Sequence, residues 1–133
     1  MKAPRLAKLV MLMEDEDDIA RLVTHHLNSG GFRTHCPERP QSLIPDAEKD
    51  RPALFILDLM LPEVDGFQLC RSIRAHPRLR GIPILILTAR TAAEDRKRAM
   101  ESGADAYITK PFKPSALIAA VRTLSDRDSP GEP

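Results

Sequence analysis

Residues 55–66 read FILDLMLPEVDG: four of the first five are apolar, and the exception, in fourth place, is Asp58. A short, unbroken apolar run is a strand buried on both faces, which belongs to a parallel sheet covered by helices. A carboxylate so close to a buried strand is costly unless something binds it or uses it. Two questions therefore follow from one stretch: whether other strands of the same kind flank it, and what Asp58 is for.

Working outward, two further apolar runs lie at 7–13 (AKLVMLM) and 83–88 (PILILT), and 53–58 (ALFILD) contains the first. Residues 17–29 put Ile19, Leu22, Val23, His26 and Leu27 on one helical face, and Gly30-Gly31 stops that helix. Residues 32–36 read as a strand, 65–75 as a helix through Leu69, Cys70 and Ile73, and 92–102 as a helix ending at Gly103. Residues 105–108 make a strand by context, and 114–125 a helix that Pro114 starts and Leu117, Ile118, Val121 and Leu124 face inward. Segment 37–52 conflicts with its place in the alternation. Pro37, Pro40 and Pro45 crowd it, and a proline inside a helix costs about 3 kcal/mol, so a short or distorted helix is expected. The order is β-α five times over, a doubly wound parallel α/β sheet with right-handed crossovers.

The bulk composition removes several function classes. A chain of 133 residues is one domain with one core. Twenty basic against nineteen acidic residues leave a net charge of +1, without the excess of a dedicated nucleic-acid binder, and Trp is absent. Cys36 and Cys70 form no CxxC pair and have no histidine cluster beside them, so they read as free thiols in a reducing cytosol. His25, His26, His35 and His76 share no ligand-like spacing. No apolar run approaches the ~20 residues of a membrane span. The basic, briefly apolar N-terminus lacks a cleavage site, so no signal peptide is read and a cytoplasmic location is expected.

In an open parallel sheet the functional crevice lies beyond the carboxyl ends of the strands. The residues there are Glu14-Asp15, Asp58, Thr88 and Lys110. Three carboxylates brought close together repel by several kcal/mol per pair, and a cation must join them. All-oxygen ligation suits Mg²⁺. Carboxylate, hydroxyl, lysine and Mg²⁺ are also the parts that move a phosphoryl group, with Asp58 as nucleophile.

The words MEDEDDI, LDLMLPEVDGF, PILILTAR and GADAYITKPF, in this order over residues 8–125, resemble receiver domains of bacterial two-component response regulators, the chemotaxis regulators among them. The resemblance implies a flavodoxin-like (βα)5 fold with strand order 2-1-3-4-5, a receiver over 1–125, and a flexible tail or linker at 126–133. It implies Asp58 as phosphoacceptor, Asp15 as direct Mg²⁺ ligand, Glu14 acting through water, and Met60 lending its backbone carbonyl to the metal. Thr88 is similar to the switch hydroxyl, Lys110 to the family lysine, and Tyr107 to the aromatic that swings between exposed and buried. Lys110-Pro111 resembles the family's cis peptide.

The function so implied is a phosphorylation-dependent signalling switch, not a turnover enzyme. A sensor histidine kinase or phosphotransfer protein supplies the phosphoryl group. A downstream output domain or protein reads the changed face around 92–122, with no direct nucleic-acid or membrane contact by this domain. The alternative is a receiver cut from a longer regulator with a DNA-binding or enzymatic output domain. Met60 followed by LTAR also resembles the transcription-factor subfamily, in which a phosphorylation-dependent homodimer joins the last helices and strand. Asp105 and Arg122 would form a charge pair there, whereas Ala106, standing for a frequent acid, weighs against it. Met60 and Arg90, flanking the phosphate, predict slow hydrolysis. A phosphatase working through an aspartyl phosphate is disfavoured, because Met60 sits where those enzymes place a second acid. Each residue also has an ordinary reading: Asp58 as a turn residue, Glu14-Asp15 as helix-dipole charge with Asp17 or Asp18 as the cap, Thr88 as strand filler, Lys110 as a surface lysine, and Tyr107 as a half-buried sheet aromatic.

Overall fold

The computed structural model describes residues 7–126; the segment 127–133 of the expected tail lies outside them. The strands are β1 (Leu9–Met13), β2 (Arg33–His35), β3 (Leu54–Leu57), β4 (Ile84–Thr88) and β5 (Ala106–Thr109). The helices are α1 (Asp17–Ser29), α2 (Leu43–Asp50), α3 (Gly66–Ala75), α4 (Ala93–Glu101) and α5 (Pro114–Ser125). All strand pairs are parallel, in the order β2-β1-β3-β4-β5. This is the flavodoxin-like arrangement expected from the sequence.

Because successive side chains on a strand point to opposite faces, each apolar run feeds two apolar layers, one on each side of the sheet, where chain length alone suggested a single core. Met11 and Met13 of β1, with Phe55 and Leu57 of β3, enter the core under α2, α3 and α4. Val10, Leu12, Leu54 and Ile56 enter the other, under α1 and α5. Every residue of β1, β3 and β4 is buried. The edge strand β2 is only three residues long, and none of them is buried.

Helices α1 and α5 have the bounds that their spacing predicts. Gly31 takes the left-handed conformation (φ 94°) after α1, while Gly30 does not. The cap of α1 differs from expectation. Its N-cap is Glu16, which makes no side-chain capping bond, and Asp17 and Asp18 lie within the first turn, where their charge meets the helix dipole. The proline-rich segment resolves into a 3-10 turn (Pro40–Ser42) followed by eight-residue α2. Pro45 falls in the first turn of α2, where an N–H has no intrahelical acceptor, so it breaks no bond. The helix then ends at Arg51, a non-glycine residue at φ 47°.

Candidate functional site

Sheet hydrogen bonding carries the site residues to one end. Met13 and Leu57 are paired in register, and the Asp58 N–H continues that ladder by donating to the Met13 carbonyl at 3.1 Å. Thr88 pairs with Thr109, and the Lys110 N–H donates to the Thr88 carbonyl at 2.8 Å. Glu14, Asp58, Thr88 and Lys110 thus occupy adjacent strand ends although the chain separates them widely. Lys110-Pro111 is a cis peptide.

Lys110 is the hub. Its ammonium lies 2.6 Å from Glu14 Oε1, donates to Asp58 Oδ2 at 2.9 Å, and stands 3.6 Å from Glu16 Oε1. The Asp58 side chain is 3% exposed, and its Oδ1 accepts from the Met60 N–H at 3.0 Å. Glu14 Oε2 accepts from the Glu16 N–H at 3.1 Å, while buried Glu14 Oε1, though close to the ammonium, has no aligned hydrogen-bond donor among the described residues. Burial pushes the Glu14 carboxyl above its ordinary pKa, and the Lys110 ammonium beside it only partly offsets this. Burial alone would lower the Lys110 pKa, but the Glu14 and Asp58 carboxylates paired with the ammonium outweigh that and raise it. Lys110 therefore remains an ammonium at neutral pH.

Glu14, Glu16 and Asp58 each bring a carboxylate oxygen within 4.8 Å of the others. Three carboxylates share one ammonium. An all-oxygen, anionic set of this kind fits a divalent hard cation such as Mg²⁺. Asp15, expected as a direct ligand, is exposed and is not in this group. Glu16 brings the third carboxylate oxygen to this cluster. Sequence reasoning had not singled it out, and its only signal was its place in the run EDEDD. The Met60 side chain is 50% exposed beside Asp58.

Thr88 is wholly buried, and its Oγ1 accepts from the Arg90 N–H at 3.4 Å. Tyr107 is turned inward, 8% exposed, and its hydroxyl donates to the Arg90 carbonyl at 3.0 Å. The Arg96 guanidinium lies 5.7 Å from its ring centroid, and burial raises the phenol's pKa. The Arg90 side chain reaches Asp95 at 3.3 Å.

Two further residues were legible only in three dimensions. A Cβ on Gly66 would lie 2.6 Å from Leu59 Cα and 2.9 Å from the Asp58 carbonyl oxygen, so only glycine lets α3 start this close to the loop. At the opposite end of the sheet, Arg74 donates to the carbonyls of Gly103, Arg80 and Ile82 and to Asp105 Oδ2 at 2.7 Å. Asp105 and Arg122, expected as a dimer pair, each have partners within the chain: Arg74 for the first, the Gly30 carbonyl at 3.1 Å for the second.

Comparison with known proteins agrees with this geometry. Residues 10–122 match the family model described as the response regulator receiver domain. The transcriptional regulatory protein CreB of Escherichia coli K12 is 44% identical over 119 residues, covering 89% of this chain and 51% of CreB. The receiver domain of a signal transduction histidine kinase from Syntrophus aciditrophicus superposes with a TM-score of 0.82 at 34% identity, covering 92% of this chain and 95% of that one. The receiver domain of the sensor histidine kinase PA1611 from Pseudomonas aeruginosa PAO1 was solved with a magnesium ion coordinated in its active site cleft. It superposes with a TM-score of 0.82 at 28% identity, covering 90% of this chain and 98% of that one. The chain spans about half the length of the curated relatives it matches. Among the described residues no helix is long and apolar enough to cross a membrane.

Proposed function

The chain belongs to the response regulator receiver domain family of two-component systems, and from that premise we propose that it accepts a phosphoryl group on Asp58 and signals by changing its partner-binding face. The observation that carries this reading is the Lys110 ammonium held between two buried carboxylates, 2.6 Å from Glu14 and 2.9 Å from Asp58, at converging strand ends.

A phosphohistidine on a sensor kinase or phosphotransfer protein is the donor. An Asp58 carboxylate oxygen attacks phosphorus in line. An O–P bond forms, the P–N bond breaks, and the leaving imidazole nitrogen keeps the electron pair. Lys110 already faces Asp58 Oδ2, so it meets the charge that develops on the phosphoryl oxygens without reorganising. Mg²⁺, when bound, neutralises phosphoryl oxygens, and Glu14, Asp58, Asp15 and the Met60 carbonyl would hold it, with Glu16 at the rim. The Thr88 hydroxyl gives up its 3.4 Å contact with the Arg90 N–H and turns toward the new oxygens. Tyr107, bonded to the carbonyl of the same Arg90, follows the β4–α4 loop. Phosphorylation so shifts an existing equilibrium between two surfaces. Met60 shields the acyl phosphate from water, whereas Arg90, engaged by Asp95, contributes less to that shielding than its position suggests.

The test is incubation with Mg²⁺ and acetyl phosphate followed by intact mass. The wild-type chain gains one phosphoryl group and Asp58→Asn gains none; a wild-type chain that stays unmodified sinks the proposal. A second reading, a receiver working within a longer transcriptional regulator, is favoured by the half-length coverage of relatives such as CreB. Under it, a DNA-binding output domain is the reader of the 92–122 face. A coding sequence that continues past Pro133 into such a domain is the check.

A further inference from the structure

Helix α4 buries only Ala99, so little apolar area seats it on the sheet. Its seat depends on polar contacts, and these fall into two sets. One set faces the switch side: Arg90 to Asp95, and Arg96 over the Tyr107 ring. The other set faces α3. The Arg98 guanidinium lies 4.0 Å from the Phe67 ring centroid and 3.7 Å from Asp65 Oδ2, and Arg71 donates to Ser102 Oγ at 3.3 Å. Asp65 and Phe67 bracket the glycine that touches the acceptor loop. Asp65 caps α3 by accepting from the Phe67 N–H at 2.9 Å, Phe67 is buried in the core, and Gly66 abuts the backbone of Asp58 and Leu59. An unbroken line of contact therefore runs from α4, through Arg98 and residues 65–67, to the backbone of Asp58.

We propose that Arg98 is a positioning residue that joins α4 to the acceptor loop, so that a phosphoryl group on Asp58 moves α4 by a route separate from Thr88 and Tyr107. The inference rests on Asp58 being the acceptor. The guanidinium–ring stack is the durable part of the joint, because the Asp65 pair is about half exposed and salt screens it. A planar guanidinium stacks on a ring in a way that a lysine ammonium reproduces only in part.

The experiment is hydrogen exchange on the full chain as wild type, Arg98→Ala and Arg98→Lys, with and without beryllium fluoride plus Mg²⁺ as a non-covalent phosphoryl mimic. The expected result is that the mimic protects 58–66 in all three proteins and alters exchange near Tyr107 in all three. The change over 93–101 falls in Arg98→Ala to less than half of wild type, with Arg98→Lys between them. A full change over 93–101 in Arg98→Ala overturns the inference, as does a parallel loss at Tyr107, which would mean general loosening. If the mimic protects 58–66 in none of the proteins, the acceptor reading fails, and the unliganded data decide the Arg98 joint. Arg98→Ala must then speed exchange over 58–66 at least twofold, and unchanged rates overturn it.

Discussion

Replacing Gly66 with alanine sets two effects of opposite sign against each other. Gly66 is the first residue of α3, and its backbone is not left-handed. Helix propensity alone makes alanine the better residue, by up to about 1 kcal/mol. The surroundings say otherwise. The added Cβ would meet Leu59 Cα at 2.6 Å, the Asp58 carbonyl oxygen at 2.9 Å and the Leu59 carbonyl oxygen at 3.1 Å, all backbone atoms. The shortest contact falls about 0.8 Å inside the 3.4 Å where ordinary contact begins, and no flexible side chain yields to relieve it. Overpacking of this kind costs about 1–3 kcal/mol, so Gly66→Ala is expected to lose about 1–2 kcal/mol net. The strain is relieved by moving the loop that carries Asp58. Misplacing a reacting group by about 1 Å costs on the order of 100-fold in rate, so labelling by acetyl phosphate should slow by roughly ten- to a hundred-fold. Urea unfolding measures the first quantity and time-resolved intact mass the second. A variant as stable as wild type that labels within twofold of its rate would refute the close-approach reasoning.

Other expectations follow from the same contacts. Lys110→Met leaves Glu14 and Asp58 buried without their cation, which should cost about 3–5 kcal/mol at neutral pH. Glu14 has a raised pKa, so acidification neutralises it readily and relieves part of the unpaired charge; thermal unfolding should show this deficit shrinking as pH falls, and a pH-independent deficit counts against the assignment. Mg²⁺ should raise the melting temperature of Lys110→Met more than that of wild type, since it replaces the missing charge. The hydrogen bond from His76 to Glu48, 2.8 Å long, holds that carboxyl below its ordinary 4.5. A depressed folded pKa contributes stability above the unfolded value and loses it as pH falls through the folded one. Glu48→Gln should therefore have a lower urea midpoint at neutral pH and match wild type once pH is well below 4.5. Cys70 is buried, and burial pushes its thiol up to about 11, whereas Cys36 is exposed. Iodoacetamide should add one group to the native protein and two in urea; two adducts at equal rates on the native protein would contradict the packing.

Much of the fold could be read before any coordinates. Runs such as LVMLM and ILILT are apolar at every position, so they must be covered on both faces, which forces helices onto both sides of a parallel sheet. Helices α1 and α5 carried both an apolar stripe and end signals, and their bounds agree with the structure. Segment 37–52 was harder because proline's penalty depends on its position within a helix, and the helix start was itself unknown. Pro45 in the first turn of α2 resolves that conflict.

The linear sequence, by itself, determined the alternation of strand and helix, the two-sided burial, and which residues stand at strand ends, because each follows from local periodicity and chain direction. Tertiary structure alone decided which neighbours meet. Of the consecutive acids after β1, Glu14 and Glu16 turn toward Lys110 while Asp15 faces solvent. Likewise Arg98 finds Phe67, and Gly66 finds Asp58. Such contacts depend on loop dihedrals and on the spacing between packed helices. Both are set by the whole core at once, and no periodicity within a single segment encodes them.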